Sequence, residues 1–310
     1  MLFSRLHSAL ASHKSGFVSR QWERIHKVAC RLIDPAVCVR IGQRRLWMKF
    51  SHPLPFLLSR YKYYDSLVPR LAAALRPAGE ELRVIDVGAN IGDTTSLLLD
   101  RVPARVLAIE PDADYFQFLL RNSAGLANVT CVRAALTDVD YDGQGEVVLT
   151  KVGGTAFMAQ AGGLTLDSLL AAHAAFAHAQ LLKVDTDGFD YKVLKGARGF
   201  LTAAKPAIFF ELSPEHFEKV GHEKPAEVFE FLAGLGYATF AFYDNEGCLM
   251  FSGGPADQRF FEEAIHYARA KDHYYDVLAF HAEAGGLASR FLEEERGVFQ
   301  PYERAFLGPR

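Results

Sequence analysis

From Leu82 onward the chain alternates short, almost wholly apolar runs with amphipathic stretches, and this pattern limits the fold more than any other feature. The runs occupy residues 83–87, 105–109, 129–133, 181–184, 207–210, 237–242 and 276–281. Strands that read as continuous apolar runs are buried on both faces, and the helical stretches between them supply the cover. The expectation is an α/β, Rossmann-like fold: a seven-stranded, mostly parallel sheet with helices on both faces. A glycine-rich insert at 142–163 breaks the alternation after the third run and carries a hairpin near 147–151.

The alternation divides the chain into an extension over residues 1–78, a main domain over 79–284 and a C-terminal helix and tail over 285–310. The extension opens with Arg5, Lys14, Arg20, Arg24, Lys27 and Arg31 against the single acid Glu23. Val18, Trp22, Ile25, Val28, Ala29 and Leu32 fall on a helical stripe. Such a helix docks on the main domain, or rests residues 1–32 on an anionic membrane or a partner protein. Two strands follow at 37–41 and 46–50, joined by a turn at Gly42 and Gln43. Pro53 and Pro55 break the chain, and one helix then carries Tyr61, Tyr64, Leu67, Val68, Leu71 and Leu75.

A formal charge of −3 gives no electrostatic footprint for nucleic acid. The four cysteines show no CxxC pair and read as reduced apolar fillers. No apolar stretch reaches the roughly 18 residues of a membrane span, and no secretory signal opens the chain. The expected location is cytoplasmic, or peripheral at the inner membrane face if the basic stripe binds lipid.

The first run leads into Asp86-Val87-Gly88-Ala89-Asn90-Ile91-Gly92 and then a helix opening with Asp93 and Thr94. A glycine turn between a first strand and a first helix lets a ligand approach the backbone and offers it free N–H groups. A dinucleotide enzyme has GxGxxG there. Here the spacing is GxxxG, with Asp86 two residues earlier, and an acid at that place suits a cationic, amino-acid-bearing ligand better than a pyrophosphate. The second strand ends at Glu110-Pro111, where a carboxylate can accept from both ribose hydroxyls. Thr137 and Asp138 follow the third strand, where an adenine would lie; a turn-forming role for Asp138 is equally open. The ordered set points to S-adenosylmethionine held by Asp86, Gly88, Ala89, Asn90, Gly92, Thr94, Glu110, Pro111, Thr137 and Asp138.

A second constellation runs Thr165-Leu166-Asp167, then Lys183-Val184-Asp185-Thr186-Asp187-Gly188-Phe189-Asp190, and ends with Glu211 closing the fifth strand. Together with the glycine turn and Glu110-Pro111, these motifs resemble the FkbM family of methyltransferases, in family order over about residues 82–281. The resemblance implies a class I methyltransferase fold, S-adenosylmethionine as donor, and a hydroxyl on a sugar, glycan or natural product as acceptor. Asp187 and Asp190 stand where the family usually has glutamate, which shortens their reach by one methylene.

Lys183 on a buried strand needs an acid beside it, and Asp185 and Glu211 are the candidates. Asp185, Glu211 and His216 are the candidates for orienting or deprotonating the acceptor, with Lys183, Asp187 and Asp190 on its binding side. A purely structural charge network is the competing reading for Lys183, Asp185 and Glu211. Three carboxylates near a strand end could also hold Mg²⁺ through oxygen ligands, but no His/Asp pattern makes a metal specific, so none is assigned. Two other functions stay open: a catalytically silent methyltransferase-like partner protein in a biosynthetic complex, and an NAD-dependent oxidoreductase, which the GxxxG spacing disfavours.

Overall fold

The computed structural model describes residues 30, 33–141, 149–152, 155–158 and 163–307. Of the basic stripe, all but Cys30 lies outside the described residues. The chain enters through an antiparallel hairpin, β1 (Ala36–Ile41) and β2 (Arg44–Lys49), turning at Gly42 with φ +58°. Pro53 and Pro55, expected to break the chain, instead open a helix, α1 (Leu54–Arg60). Proline fits a first turn because the N–H it lacks has no helical partner there. The helix expected from Tyr61 starts only at Leu67, as α2 (Leu67–Leu75). Asp65 adopts a left-handed backbone (φ +53°), which ends helical continuity, and Pro69 falls in the first turn of α2.

The main domain follows as β3 (Leu82–Val87), α3 (Asp93–Arg101), β4 (Ala104–Ile109), α4 (Ala113–Asn122) and β5 (Val129–Val132). Within the insert, β6 (Leu149–Val152) pairs antiparallel with β7 (Thr155–Met158), so the hairpin lies slightly later than expected. Next come α5 (Leu166–Ala172), β8 (Leu181–Val184), α6 (Asp190–Lys195), α7 (Arg198–Ala204), β9 (Ala207–Leu212), α8 (Pro214–Lys219) and α9 (Glu227–Gly234). The domain closes with β10 (Tyr237–Asp244), β11 (Leu249–Gly253), α10 (Gln258–Lys271) and β12 (Tyr275–His281), and α11 (Gly285–Leu307) follows.

The sheet order is β11-β10-β12-β9-β8-β3-β4-β5. β5, β4, β3, β8 and β9 pair in parallel, while β12 runs antiparallel to both β9 and β10. All seven expected strands are present, and β11 makes an eighth. It is a half-exposed edge strand, formed because Asp244 accepts from the backbone of Glu246 and Cys248 and turns the chain back. Apolar side chains cover both faces of the sheet. Ile85, Leu107, Val184 and Phe210 face one side, and Val84, Val106, Leu181 and Phe209 the other. Phe229 meets Phe240, Phe242 and Phe261 with ring centroids 4.7–5.6 Å apart, which adds geometric specificity to burial.

Connections leave β3 in one direction towards β4 and return on its other side at β8. That reversal opens a crevice beyond the carboxyl ends of β3 and β8, the place where open α/β sheets bind ligands. The hairpin is fastened to the same half of the molecule. Val39, Met48 and Phe50 pack with Ile91 and Tyr115. Asn122 accepts from the Trp47 N–H and donates to the Trp47 and Ile91 carbonyls. No helix among the described residues is long and apolar enough to cross a membrane.

Candidate cofactor and acceptor site

The glycine turn is built against the end of β8. Gly88 has φ +76°, and a Cβ there would stand 1.8 Å from the Asp185 carbonyl oxygen. Gly92, at φ +85°, caps α3, and a Cβ there would meet Leu119 Cδ1 at 2.9 Å. Between them Asn90 is also left-handed (φ +49°). Its side-chain oxygen lies 3.4 Å from His52 Nε2, which brings the N-terminal extension to the turn.

Asp86 does not face the crevice as expected. Its buried carboxylate accepts from the Thr95 hydroxyl at 2.8 Å and pairs with Lys183 Nζ at 3.2 Å. Lys183 is only 3% exposed; it also pairs with Asp185 at 3.2 Å and donates to the Gly88 carbonyl at 3.2 Å. Burial alone would lower its pKa, but Asp185, Asp86 and Asp93 outweigh burial and hold the ammonium above its ordinary value. Its partners are thus Asp86 and Asp185. Glu211, the other expected partner, lies elsewhere in the site.

Glu110 ends β4 and is 4% exposed. Its two oxygens accept from the Asn90 and Asp112 N–H groups, each at 2.8 Å. Burial pushes it up to about 7 despite those bonds. It borders a narrow slot with Pro111, Tyr115, Leu136 and Phe189. Gly88, Asn90, Asp185 and Asp187 line both this slot and a larger cavity of about 320 Å³. Thr137 and Asp138 line neither, and the Asp138 carboxylate is taken by Lys195 at 3.1 Å. Ala89 is buried in the fold, while Thr94 lines the cavity and Pro111 the slot.

Six carboxylates line the cavity: Asp65, Asp93, Asp185, Asp187, Glu211 and Asp276. Burial, reinforced by neighbouring acids, pushes Asp187 up to about 8 and Asp65, Glu211 and Asp276 well above the carboxylate range. Asp93 rises to about 6 through burial, with Lys183 opposing. His216 joins the lining at the start of α8, its Nδ1 3.9 Å from Glu211 Oε1, and burial lowers its pKa. Asp190 is fully buried outside the cavity. Its carboxylate accepts from the Thr186 hydroxyl at 3.0 Å and the Gly188 and Glu211 N–H groups at 3.3 Å, tying the loop after β8 to β9.

Sequence reasoning missed Asp65, Asp276, Tyr64 and Tyr274 in this lining. Asp276 sits opposite Glu211 in register, because β12 runs antiparallel and brings its amino end to the carboxyl end of β9. An acid opening an antiparallel last strand was the signal for it. Asp65 and Tyr64 were hidden by assigning 61–75 to one helix.

Residues 86–239 match the family described as the methyltransferase FkbM domain. The chain belongs to that family. The FkbM methyltransferase of Methylobacillus flagellatus KT has a similar structure at 15% identity, with 76% of this chain and 54% of that one covered and a TM-score of 0.36. Precorrin-6y C5,15-methyltransferase from Geobacter metallireducens GS-15 gives 14% identity, coverages of 70% and 87%, and a TM-score of 0.38. M. jannaschii TYW2 in complex with AdoMet gives 15%, 79%, 86% and 0.40. No curated protein sequence matches the chain significantly.

The donor expected of an FkbM methyltransferase, S-adenosylmethionine, fits the residues present. Glu110 has lone pairs left for a diol, and Pro111, Leu136 and Phe189 offer an apolar slot for a flat ring. Asp93 and Asp185 supply the negative charge that an ammonium and a sulfonium need. Ionised Glu110 accepts hydroxyl protons better than its neutral form, and the ligand-free carboxyl holds its proton below about 7. Affinity for S-adenosylmethionine should therefore rise with pH through about 7. Glu110→Gln should remove that slope beyond the ligand's own titration and weaken binding by about 1–3 kcal/mol. Calorimetry at pH 6 and 8 on both proteins checks this; identical profiles would remove Glu110 from the ribose site.

Proposed function

We propose that this FkbM methyltransferase transfers the methyl group of S-adenosylmethionine to a hydroxyl of a sugar, glycan or polyhydroxylated natural product. The observation that carries the reading is the cavity adjoining the glycine turn, where six carboxylates and the phenols of Tyr63, Tyr64 and Tyr274 line one space. Hydroxyl groups are donors, and a wall of acceptor oxygens suits a ligand that carries several of them. S-adenosylmethionine, when bound, supplies a methyl carbon on a sulfonium for in-line displacement.

The residues of the chain have three tasks in that reaction. Lys183 holds the Gly88 carbonyl and the Asp185 carboxylate in place, fixing the turn against the acceptor side. The tyrosines and the apolar wall of Leu54, Leu57 and Val68 limit water around the reacting atoms. Asp185 and Glu211 orient the acceptor hydroxyl and take its proton. Glu211 accepts a proton only when ionised, and because burial and then Asp185 and Asp187 raise its pKa, that form grows as pH rises.

Asp185→Asn and Glu211→Gln should leave S-adenosylmethionine affinity nearly intact. Turnover should fall by about 10²–10⁴-fold in at least one of them, the range for loss of general-base assistance. The measurement is labelled-methyl transfer to extracted glycans and small polyols, with donor affinity read on the same preparations. Near-wild-type turnover in both variants would leave alignment alone as the source of rate.

A further inference from the structure

The acceptor cavity contains a ligand set that the sequence spacing did not reveal. Asp187 lies in the loop after β8, Glu211 near the end of β9 and His216 in the first turns of α8. One ligating atom from each lies within 4.8 Å of the others. These are three separate segments, and their convergence depends on Gly188. It has φ +108°, and a Cβ there would stand 2.7 Å from the His216 carbonyl oxygen and 2.9 Å from His216 Cβ. Gly221 makes the matching approach from the far end of α8, where a Cβ would lie 2.4 Å from the Gly188 carbonyl oxygen. Two glycines thus press the amino end of α8 onto the loop that carries Asp187, and they bring an imidazole to a pair of carboxylates.

We infer that Asp187, Glu211 and His216 bind one divalent first-row metal ion, of the Mn²⁺ class, inside the acceptor cavity. The inference rests on reading this cavity as the acceptor site of a methyltransferase. Three arguments support it. First, two carboxylate oxygens with one imidazole nitrogen suit a borderline first-row ion better than Ca²⁺ or Mg²⁺, which favour all-oxygen sites. Second, the spacing is close to that of a single ion. Bonds of about 2.1 Å place opposite ligands of an octahedron about 4.2 Å apart, so atoms within 4.8 Å close on one ion through small side-chain rotations. Third, acidic groups crowd the cavity among the described residues. Six carboxylates line it, and Lys183 in its wall already pairs with Asp86 and Asp185.

Three protein ligands leave about three octahedral positions open, enough for two neighbouring hydroxyls of a polyol and a water. The ion would then polarise the hydroxyl to be methylated, and Asp185, outside the ligand set, would receive its proton. This deepens the proposed function from a hydroxyl acceptor to one able to chelate, such as a vicinal diol or an α-hydroxy acid.

The test uses the full-length chain, stripped with chelator and titrated with Mn²⁺ while the signal of free Mn²⁺ is followed by electron paramagnetic resonance. One Mn²⁺ per chain is expected, with a nitrogen coupling in the pulsed spectrum that disappears in His216→Ala. Affinity should fall at least about tenfold in both Glu211→Gln and His216→Ala, comparable to losses on disturbing a metal site. Glu81→Gln, which alters an exposed pair with Arg105 just before β3 at the opposite edge of the sheet, should bind like wild type. S-adenosylmethionine affinity on the same samples confirms that each variant is folded. Absence of stoichiometric binding in the wild type, equal affinity in all four proteins, or Mn²⁺ bound without nitrogen coupling would each overturn the site. If Mn²⁺ fails while S-adenosylmethionine binds and methyl is transferred to a polyol, the metal site alone is lost. If the protein binds the donor but methylates only amines, the hydroxyl reading falls with it.

Discussion

Lys183→Met should lower the stability of the ligand-free protein by about 3–5 kcal/mol, the usual result of removing one partner from a buried ion pair. The lysine is 3% exposed and its partner Asp86 2% exposed, so neither charge can turn to solvent. Methionine fills nearly the same volume, and the loss comes from leaving the Asp86 carboxylate buried with only the Thr95 hydroxyl as a fixed partner. At about 2.1 cal/mol/K of unfolding entropy per residue, each kcal/mol moves the melting temperature of a chain this long by about 1.5 °C, so a fall of about 5–8 °C is expected. Lys183→Met combined with Asp86→Asn should recover much of it, because the amide oxygen can still accept from Thr95 and no uncompensated charge remains. Thermal denaturation of the three proteins without ligand is the measurement. A lysine serving only the acceptor would leave the melting temperature within about 2 °C of wild type and show its effect in affinity alone.

That network also marks where sequence reading succeeded and where it stopped. A lysine inside an apolar strand requires an acid by simple electrostatics, so a pair was legible from residues 181–184, and Asp185 was legible as one partner. The buried partner was not. Asp86 is close only because β3 and β8 are neighbours, with Asp86 and Lys183 in register, and strand adjacency is not written locally in either strand. The parallel core was legible for a related reason: each strand buried on both faces carries its own uninterrupted apolar run. β11 escaped because its apolar run, Leu249-Met250-Phe251, is short and half-exposed at the sheet edge, and α1 escaped because proline both breaks helices and begins them. The acidic cavity was only partly visible. Asp185, Asp187 and Glu211 belong to ordered motifs, whereas Asp65 and Asp276 enter from a left-handed turn and from an antiparallel strand, whose direction the apolar pattern does not encode.

Gly88→Ala should be more damaging than Lys183→Met, and for a reason unconnected with ligand approach. The added methyl would sit 1.8 Å from the Asp185 carbonyl oxygen and 2.8 Å from its carbonyl carbon. These are backbone atoms at the end of β8, which cannot rotate away as a side chain can. Gly79 provides an internal comparison, since its φ of +78° matches the +76° of Gly88, yet a Cβ there meets nothing within 4 Å. Gly79→Ala should cost only the left-handed backbone penalty, about 1–2 kcal/mol. Gly88→Ala should cost that amount plus the displacement of two strand ends, in the exceptional range above about 4 kcal/mol. Because Lys183 binds the Gly88 carbonyl, the displacement would also disturb the ion pair beneath it. The expected result is a ligand-free Gly88→Ala protein that melts at least about 3–5 °C lower than Gly79→Ala, or does not fold at all. Had the glycine been needed only to admit a ligand to the backbone, the two variants would melt together and differ solely in S-adenosylmethionine affinity. The comparison therefore tests whether the GxxxG turn is first a packing requirement of β3 against β8 and only then a binding surface.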